Sequence, residues 1–457
     1  MKKFSILLFF VCTCFFSSAQ EQDEKFIRAL FDQALEKGES YSMLHYLTKN
    51  IGGRLSGSPQ AAAAVEWARQ TMMTYGFDTV YLQPVMVPHW VRGAKEKGRI
   101  VGSKKQGSFD VPVTALGNSM GTGAKGVSAE VIEVKDFQEL AAIGRAKIEG
   151  KIVFFNRPMD AKLMDTFSAY GGAASQRGSG PSEAAKYGAI GVIVRSLSSF
   201  KDDVLHTGST NYALNIPKLP AVAISAKNAD VLSHMLQEEP DLRFYFETHC
   251  EMLEDVLSYN VVGEIRGQVY PDEIIAVGGH LDSWDLSEGA HDDGAGCVQS
   301  IEVLRLFKAL NYQPKRTIRA VMFMNEENGL RGGRKYADLA AKNNEKHIAA
   351  LESDRGGFLP VGFGVSGTKA QQDKMLSWQP LFAPYGMYQF KRGGGGADIS
   401  PLRTQDVPTI GYLPDGQRYF KIHHTPIDNF EAVNQRELEM GAAAMASMIY
   451  LIDKYGL

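Results

Sequence analysis

Residues 273–294 read EIIAVGGHLDSWDLSEGAHDDG. Glu273–Val277 has the texture of a strand, and Gly278-Gly279-His280-Leu281-Asp282 follows it directly. A short loop then leads to His291-Asp292-Asp293-Gly294. Beyond it, Cys297, Ile301, Leu304, Phe307 and Leu310 recur at helical spacing, predicting a helix over 294–310.

The same rhythm continues toward the C-terminus. Strands are expected at Thr317–Met324, Ile348–Glu352 and Thr409–Tyr412, and helices at about 331–342, 371–382 and 435–455. Alternation of this kind predicts an α/β fold, a mostly parallel mixed sheet sandwiched by helices. In such sheets ligands gather beyond the carboxyl ends of the strands.

Those ends carry chemistry. His280 and Asp282 follow the first strand, with Asp292 a loop later. Glu326-Glu327 follow the second strand and Asp354 the third, while His423-His424-Thr425-Pro426 lies near the C-terminus. Taken singly each has an ordinary reading: a hydrogen-bonded loop histidine, a helix cap at Asp292-Asp293-Gly294, or a solvated acidic turn. Together they fall in register with the strand-end rule. Two histidines and three carboxylates form the N/O donor set that zinc accepts. Five donors exceed one catalytic site's usual three, which favours two metals sharing a carboxylate, able to hold a water between them and leaving one Glu free as base. Gly393–Gly396 reads either as a flexible loop near the cleft, with Lys391 and Arg392 available for a substrate carboxylate, or equally as a plain hairpin tip. His291 and Asp285 are candidates for the pocket wall.

The N-terminal half is built differently. An amphipathic helix is expected from Phe26 to about Asn50, a Gly/Ser/Pro loop at 52–59, a second helix at 61–76, and short strands near 79–87. From about 122 to 247 the strands Val127–Val134, Lys151–Phe155, Ile190–Val194 and Pro220–Ser225, with a helix at Ser182–Tyr187, read as a small α/β unit of their own.

At 457 residues the chain is long enough for two or three domains, at roughly 150 residues each. Lys+Arg 49 against Asp+Glu 52 gives a net charge of -3 and no basic stripe, which argues against nucleic acid as a partner. Lys2-Lys3, the apolar run Ile6–Phe16 and the small residues Ser17–Ala19 describe a signal peptide over 1–20, so the mature chain is expected to be secreted or periplasmic. No later stretch reaches the length needed to span a membrane. Past the leader only Cys250 and Cys297 remain, and Cys297 is expected as a packed core thiol rather than half of a bridge.

His280-Leu-Asp282, Asp292-Asp293-Gly294, Glu326-Glu327, Asp354 and His424-Thr-Pro resemble the co-catalytic zinc aminopeptidases. Longer stretches, Gly279–Asp285, Pro314–Thr317, Glu352–Asp354, Tyr419–His424 and Ser182–Lys186, look like the carboxypeptidase Q group within them. The resemblance implies the zinc exopeptidase fold with a protease-associated domain inserted at 122–247, between peptidase segments 21–121 and 248–457. It implies two Zn2+ per chain, one on His280 and Asp354, the other on Glu327 and His424, with Asp292 bridging. It also implies that Glu326 is the general base, that the Asp282 carboxylate receives the other ring N–H of His280, and that the Asp292–Asp293 bond is cis. Many relatives place a Tyr where this chain has His423, so His423 is expected to donate to the oxygen of the tetrahedral intermediate. The expected activity is hydrolysis of dipeptides or short peptides with a free amino end, by a homodimer. A single-zinc glutaminyl cyclase and a non-catalytic receptor-like ectodomain are the alternatives on the same fold.

Overall fold

The structure, a computed structural model, describes residues 20–457 with their side chains. Apart from its last residue, the leader expected over 1–20 lies outside the described residues. Among the described residues no helix is long and apolar enough to cross a membrane.

Two eight-stranded sheets organise the described residues. The first runs in the order Thr79–Val91, Glu251–Ile265, Arg316–Phe323, Tyr270–His280, Lys346–Glu352, Thr409–Pro414, Pro360–Ser366, Gln389–Arg392. Its four central strands, Arg316–Phe323 to Thr409–Pro414, are mutually parallel, while antiparallel pairs flank them. Ile275 and Val277 pack into one helical layer and Ala276 into the other, so residues 274–277 are all apolar because both faces of the strand are covered there. The helices Ala295–Ala309 and Gln435–Tyr455 line the first face and Arg331–Lys342 the second.

The expected long N-terminal helix is interrupted. The first helix ends at Lys37, before Gly38, and Ser40–Tyr46 starts a new one. A Cβ at Gly38 would lie 2.2 Å from both Ala34 O and Glu439 Oε2, so the break allows the chain to pass close to the C-terminal helix.

The second sheet runs Gly107–Asp110, Lys97–Ser103, Arg243–Glu247, Val127–Val134, Ile152–Phe155, Gly191–Arg195, Ala221–Ile224, Thr114–Ala115. It interrupts the first sheet between Thr79–Val91 and Glu251–Ile265. Three of its strands, Lys97–Ser103, Gly107–Asp110 and Thr114–Ala115, precede residue 122. Lys97–Ser103 pairs antiparallel with Arg243–Glu247, a long-range pairing that no local composition signals. Cys250 and Cys297 are buried and unbridged.

Candidate metal centre

Strand register assembles the site. His280 pairs with Phe323 and Gly278 with Glu352 across parallel neighbours, so the segments after three strands emerge side by side. His280, Asn325–Glu327 and Asp354 therefore share one crevice. Asp292 enters from the loop before the helix Ala295–Ala309, and His423-His424 from the turn after Tyr419–Ile422.

Asp292 stands at the centre. Its Oδ1 lies 3.3 Å from His280 Nε2, and its Oδ2 lies 3.3 Å from His424 Nε2. His280 Nε2 is also 3.5 Å from Asp354 Oδ1, and His424 Nε2 is 3.2 Å from Glu327 Oε2. The five side chains expected as ligands are thus brought together, with one Asp292 oxygen turned toward each histidine. The Asp292–Asp293 peptide is cis. Asp293 takes the capping role: its carboxylate accepts His280 N at 3.0 Å and Gly296 N at 2.9 Å.

The donor atoms fit a cation. His280 Nε2, Asp292 Oδ2 and Glu327 Oε1 are buried without a hydrogen-bond partner among the described residues. Each such atom costs about 1–3 kcal/mol if left uncompensated. His280 Nδ1 faces the backbone oxygen of Asp282 at 2.9 Å; a carbonyl only accepts, so Nδ1 carries a proton and Nε2 is the nitrogen left to face a metal. Zinc takes this mixed imidazole and carboxylate set.

That contact corrects the expectation for Asp282. The carboxylate is 3.9 Å from His280 Nδ1, because its own main-chain oxygen occupies the position. Instead the carboxylate accepts the backbone N–H groups of Asn325 at 2.7 Å, Glu326 at 3.0 Å and Glu327 at 3.3 Å.

Charge and burial set the protonation preferences. Burial works against Asp292, yet His280, His424 and His423 hold it well below the usual carboxylate range. Burial likewise opposes charge on His280, but Asp292 and Asp354 outweigh it and raise the ring well above its ordinary value. Burial pushes Glu326 up to about 8, with Asp354, Asp282 and Asp292 reinforcing the rise and His280 opposing it. Burial lowers His423 to about 3, so its ring is neutral. The His423 and His424 rings stack with centroids 3.6 Å apart, and His423 Nδ1 has no partner among the described residues.

Glu326, His423 and the expected ligands Asp292, Glu327, Asp354 and His424 line one cavity of about 410 Å³. Its far wall comes from the inserted unit through Phe167, Tyr170, Arg177 and Ser209. Gly395 and Gly396 reach the cavity, as expected, but Arg392 is on an edge strand bonded to Gln372 at 3.0 Å. Lys391 lies 3.8 Å from Asp165 and lines a neighbouring cavity. Asp285 pairs with Arg92 at 2.7 Å, and His291 stacks on Phe358, so neither joins the wall.

Several supporting residues escaped the sequence reading. Arg54 is fully buried and donates to the backbone oxygens of Leu281 at 2.6 Å, Glu288 at 2.6 Å and Gly289 at 2.9 Å. Asp428 accepts the backbone N–H groups of His291 at 2.8 Å and Asp292 at 3.1 Å. A signal existed for Asp428, four residues past His424. Nothing local marks Arg54 beyond its Gly-rich loop.

Comparison with known proteins agrees with this geometry. Residues 260–449 match Peptidase family M28. Carboxypeptidase Q of Bos taurus is 34% identical over 416 residues, covering 91% of this chain and 85% of that protein. The crystal structure of a peptidase M28 precursor from Shewanella amazonensis SB2B superposes with a TM-score of 0.90 at 33% identity, over 95% of this chain and 97% of that one. The aminopeptidase of Aneurinibacillus sp. strain AM-1 shares the fold, with a TM-score of 0.63 at 20% identity over 93% and 95% of the two chains. Likeness over nearly the full length of both partners establishes descent, and the chain belongs to peptidase family M28 as a zinc metallopeptidase.

Proposed function

We propose that this protein is an exported di-zinc exopeptidase that hydrolyses dipeptides or short peptides with a free amino end. The observation that carries the reading is the Asp292 carboxylate, with one oxygen toward His280 and the other toward His424. His280 and Asp354 would hold one ion, Glu327 and His424 the other, with Asp292 shared. When bound, the pair supplies Lewis acidity that polarises a peptide carbonyl and makes water a stronger acid.

The chain's own groups do the proton work. Glu326 lines the cavity beside Glu327, whose carboxylate turns to His424 at 3.2 Å. A carboxylate raised toward neutrality accepts a proton from the attacking water readily and returns it to the departing amine nitrogen. His423, neutral and facing the cavity, donates a ring N–H to the oxygen that gains charge. Glu326 N–H is held by Asp282, so the base is fixed in place before substrate arrives. The leader pattern at 1–20 supports export. The position of the second sheet, between two strands of the first, supports its reading as a protease-associated domain.

The test is digestion of a dipeptide library by the purified mature protein beside Glu326→Gln and His423→Ala, with zinc measured in each. Glu326→Gln is expected to keep its zinc and lose about 10²–10⁴-fold in rate. His423→Ala is expected to lose about 10²–10³-fold in kcat. Full activity in zinc-loaded Glu326→Gln would overturn the base. An unchanged kcat in His423→Ala would remove the oxyanion role.

A further inference from the structure

The two ion positions are supported from different parts of the molecule. His280 ends a central strand and is held by sheet register and by Asp282 O. His424 lies on an irregular turn with φ 61, the left-handed region that side chains with a Cβ occupy only under constraint.

The constraint comes from the inserted unit. His206 is buried there, and its Nδ1 donates to His423 O at 2.8 Å. The next residue, Thr207, donates its backbone N–H to His424 O at 2.9 Å. These bonds seize consecutive carbonyls on either side of the strained residue. The clamp is itself anchored, since Thr207 Oγ1 donates to Ala115 O at 2.8 Å and Gly208 O accepts Gly117 N at 3.0 Å. Gly208 has φ 122, and a Cβ there would lie 2.4 Å from Arg177 Nη1 and 2.6 Å from His424 Nδ1. Only glycine lets this segment pass so close behind the imidazole.

We infer that the inserted unit positions His424 through His206 and Thr207, so that loading of the Glu327–His424 position depends on the insert while loading of the His280–Asp354 position does not. The inference rests on the two-ion reading above. His206 is a positioning residue; it touches neither ion nor substrate.

The test is titration of the metal-free mature chain with Zn2+ against a chromophoric chelator, which resolves the binding steps. Glu327→Gln and Asp354→Asn mark which step belongs to which position. His206→Ala is expected to weaken the step marked by Glu327→Gln by about 10–100-fold, the usual effect of losing such a support, and to leave the other within about twofold. His206→Asn, which keeps a donor near the same place, is expected to restore the affected step. Equal weakening of both steps, or no change in either, would overturn the inference, as would an Asn variant no better than Ala. Fewer than two ions in the wild type would sink the two-ion reading itself, an outcome seen before any His206 variant is compared.

Discussion

The carboxylate of Asp282 accepts the backbone N–H of Glu326 over 3.0 Å. Its two oxygens also take the N–H groups of Asn325 and Glu327, so one side chain fixes the segment carrying both the proposed base and a ligand. Asn325 has φ 75, and such a turn stays put only when its donors are satisfied.

Asp282→Asn exchanges one accepting oxygen for an NH2 group and sets it against main-chain donors. The expected result is a fall in kcat of about 10–100-fold, with KM changed far less, because the base is displaced while the substrate walls stay intact. Steady-state kinetics on a dipeptide check this. A loss confined to KM would refute it.

Arg54 ties the loop between His280 and Asp292 from inside, through three carbonyls. Arg54→Met keeps much of the volume but strands those oxygens in a buried site, at roughly 1–3 kcal/mol each. The melting temperature should fall by at least about 4 °C. Arg54→Lys, with a compact ammonium in place of the fork, should recover only part of the loss. Thermal melts of the two variants decide it, and a Lys variant as stable as the wild type would show that the fork geometry is immaterial.

Much of this site was legible because strand ends are local. Once Glu273–Val277 and its neighbours are read as parallel strands, His280, Glu327 and Asp354 must converge, and the motif resemblance adds Asp292 and His424. What escaped depends on pairing across long stretches of chain. Lys97–Ser103 joins the inserted sheet through Arg243–Glu247, and nothing near residue 97 announces it. Arg177 and His206 reach the centre only because the inserted unit packs against the His423-His424 turn. The Asp282 assignment failed for a subtler reason. Two acceptors in one residue compete for His280 Nδ1, and the backbone oxygen wins on distance.

Chelation should unmask the uncompensated carboxylates of the centre. Asp292 Oδ2 and Glu327 Oε1 have no donor among the described residues, so a bound cation is their natural partner. Removing metal is expected to lower the melting temperature, and returning Zn2+ should raise it with concentration, since a ligand at 100 times its Kd adds about 2.7 kcal/mol. Calorimetric scans across a zinc series test this. A melting point indifferent to zinc would mean that the five side chains hold no ion.

A pH effect is expected far from the metal centre, at Glu439. This residue is 2% exposed on the helix Gln435–Tyr455; its Oε1 accepts Tyr41 N at 3.0 Å and its Oε2 has no partner among the described residues. Burial pushes its carboxyl from 4.5 up to about 7, and the nearby Glu302 carboxylate adds to the rise. The folded state therefore keeps a proton that the unfolded chain releases near pH 4.5. Stability from this group is present below that pH and is lost as pH climbs through about 7. The full difference is roughly 3 kcal/mol at 1.36 kcal/mol per unit of pKa. Glu439→Gln is neutral at every pH and still accepts from Tyr41 N. It should match the wild type at pH 5 and exceed it at pH 8, so the gap in melting temperature between the two proteins widens across that interval. If the two melting curves run parallel from pH 5 to 8, Glu439 does not hold its proton in the folded protein.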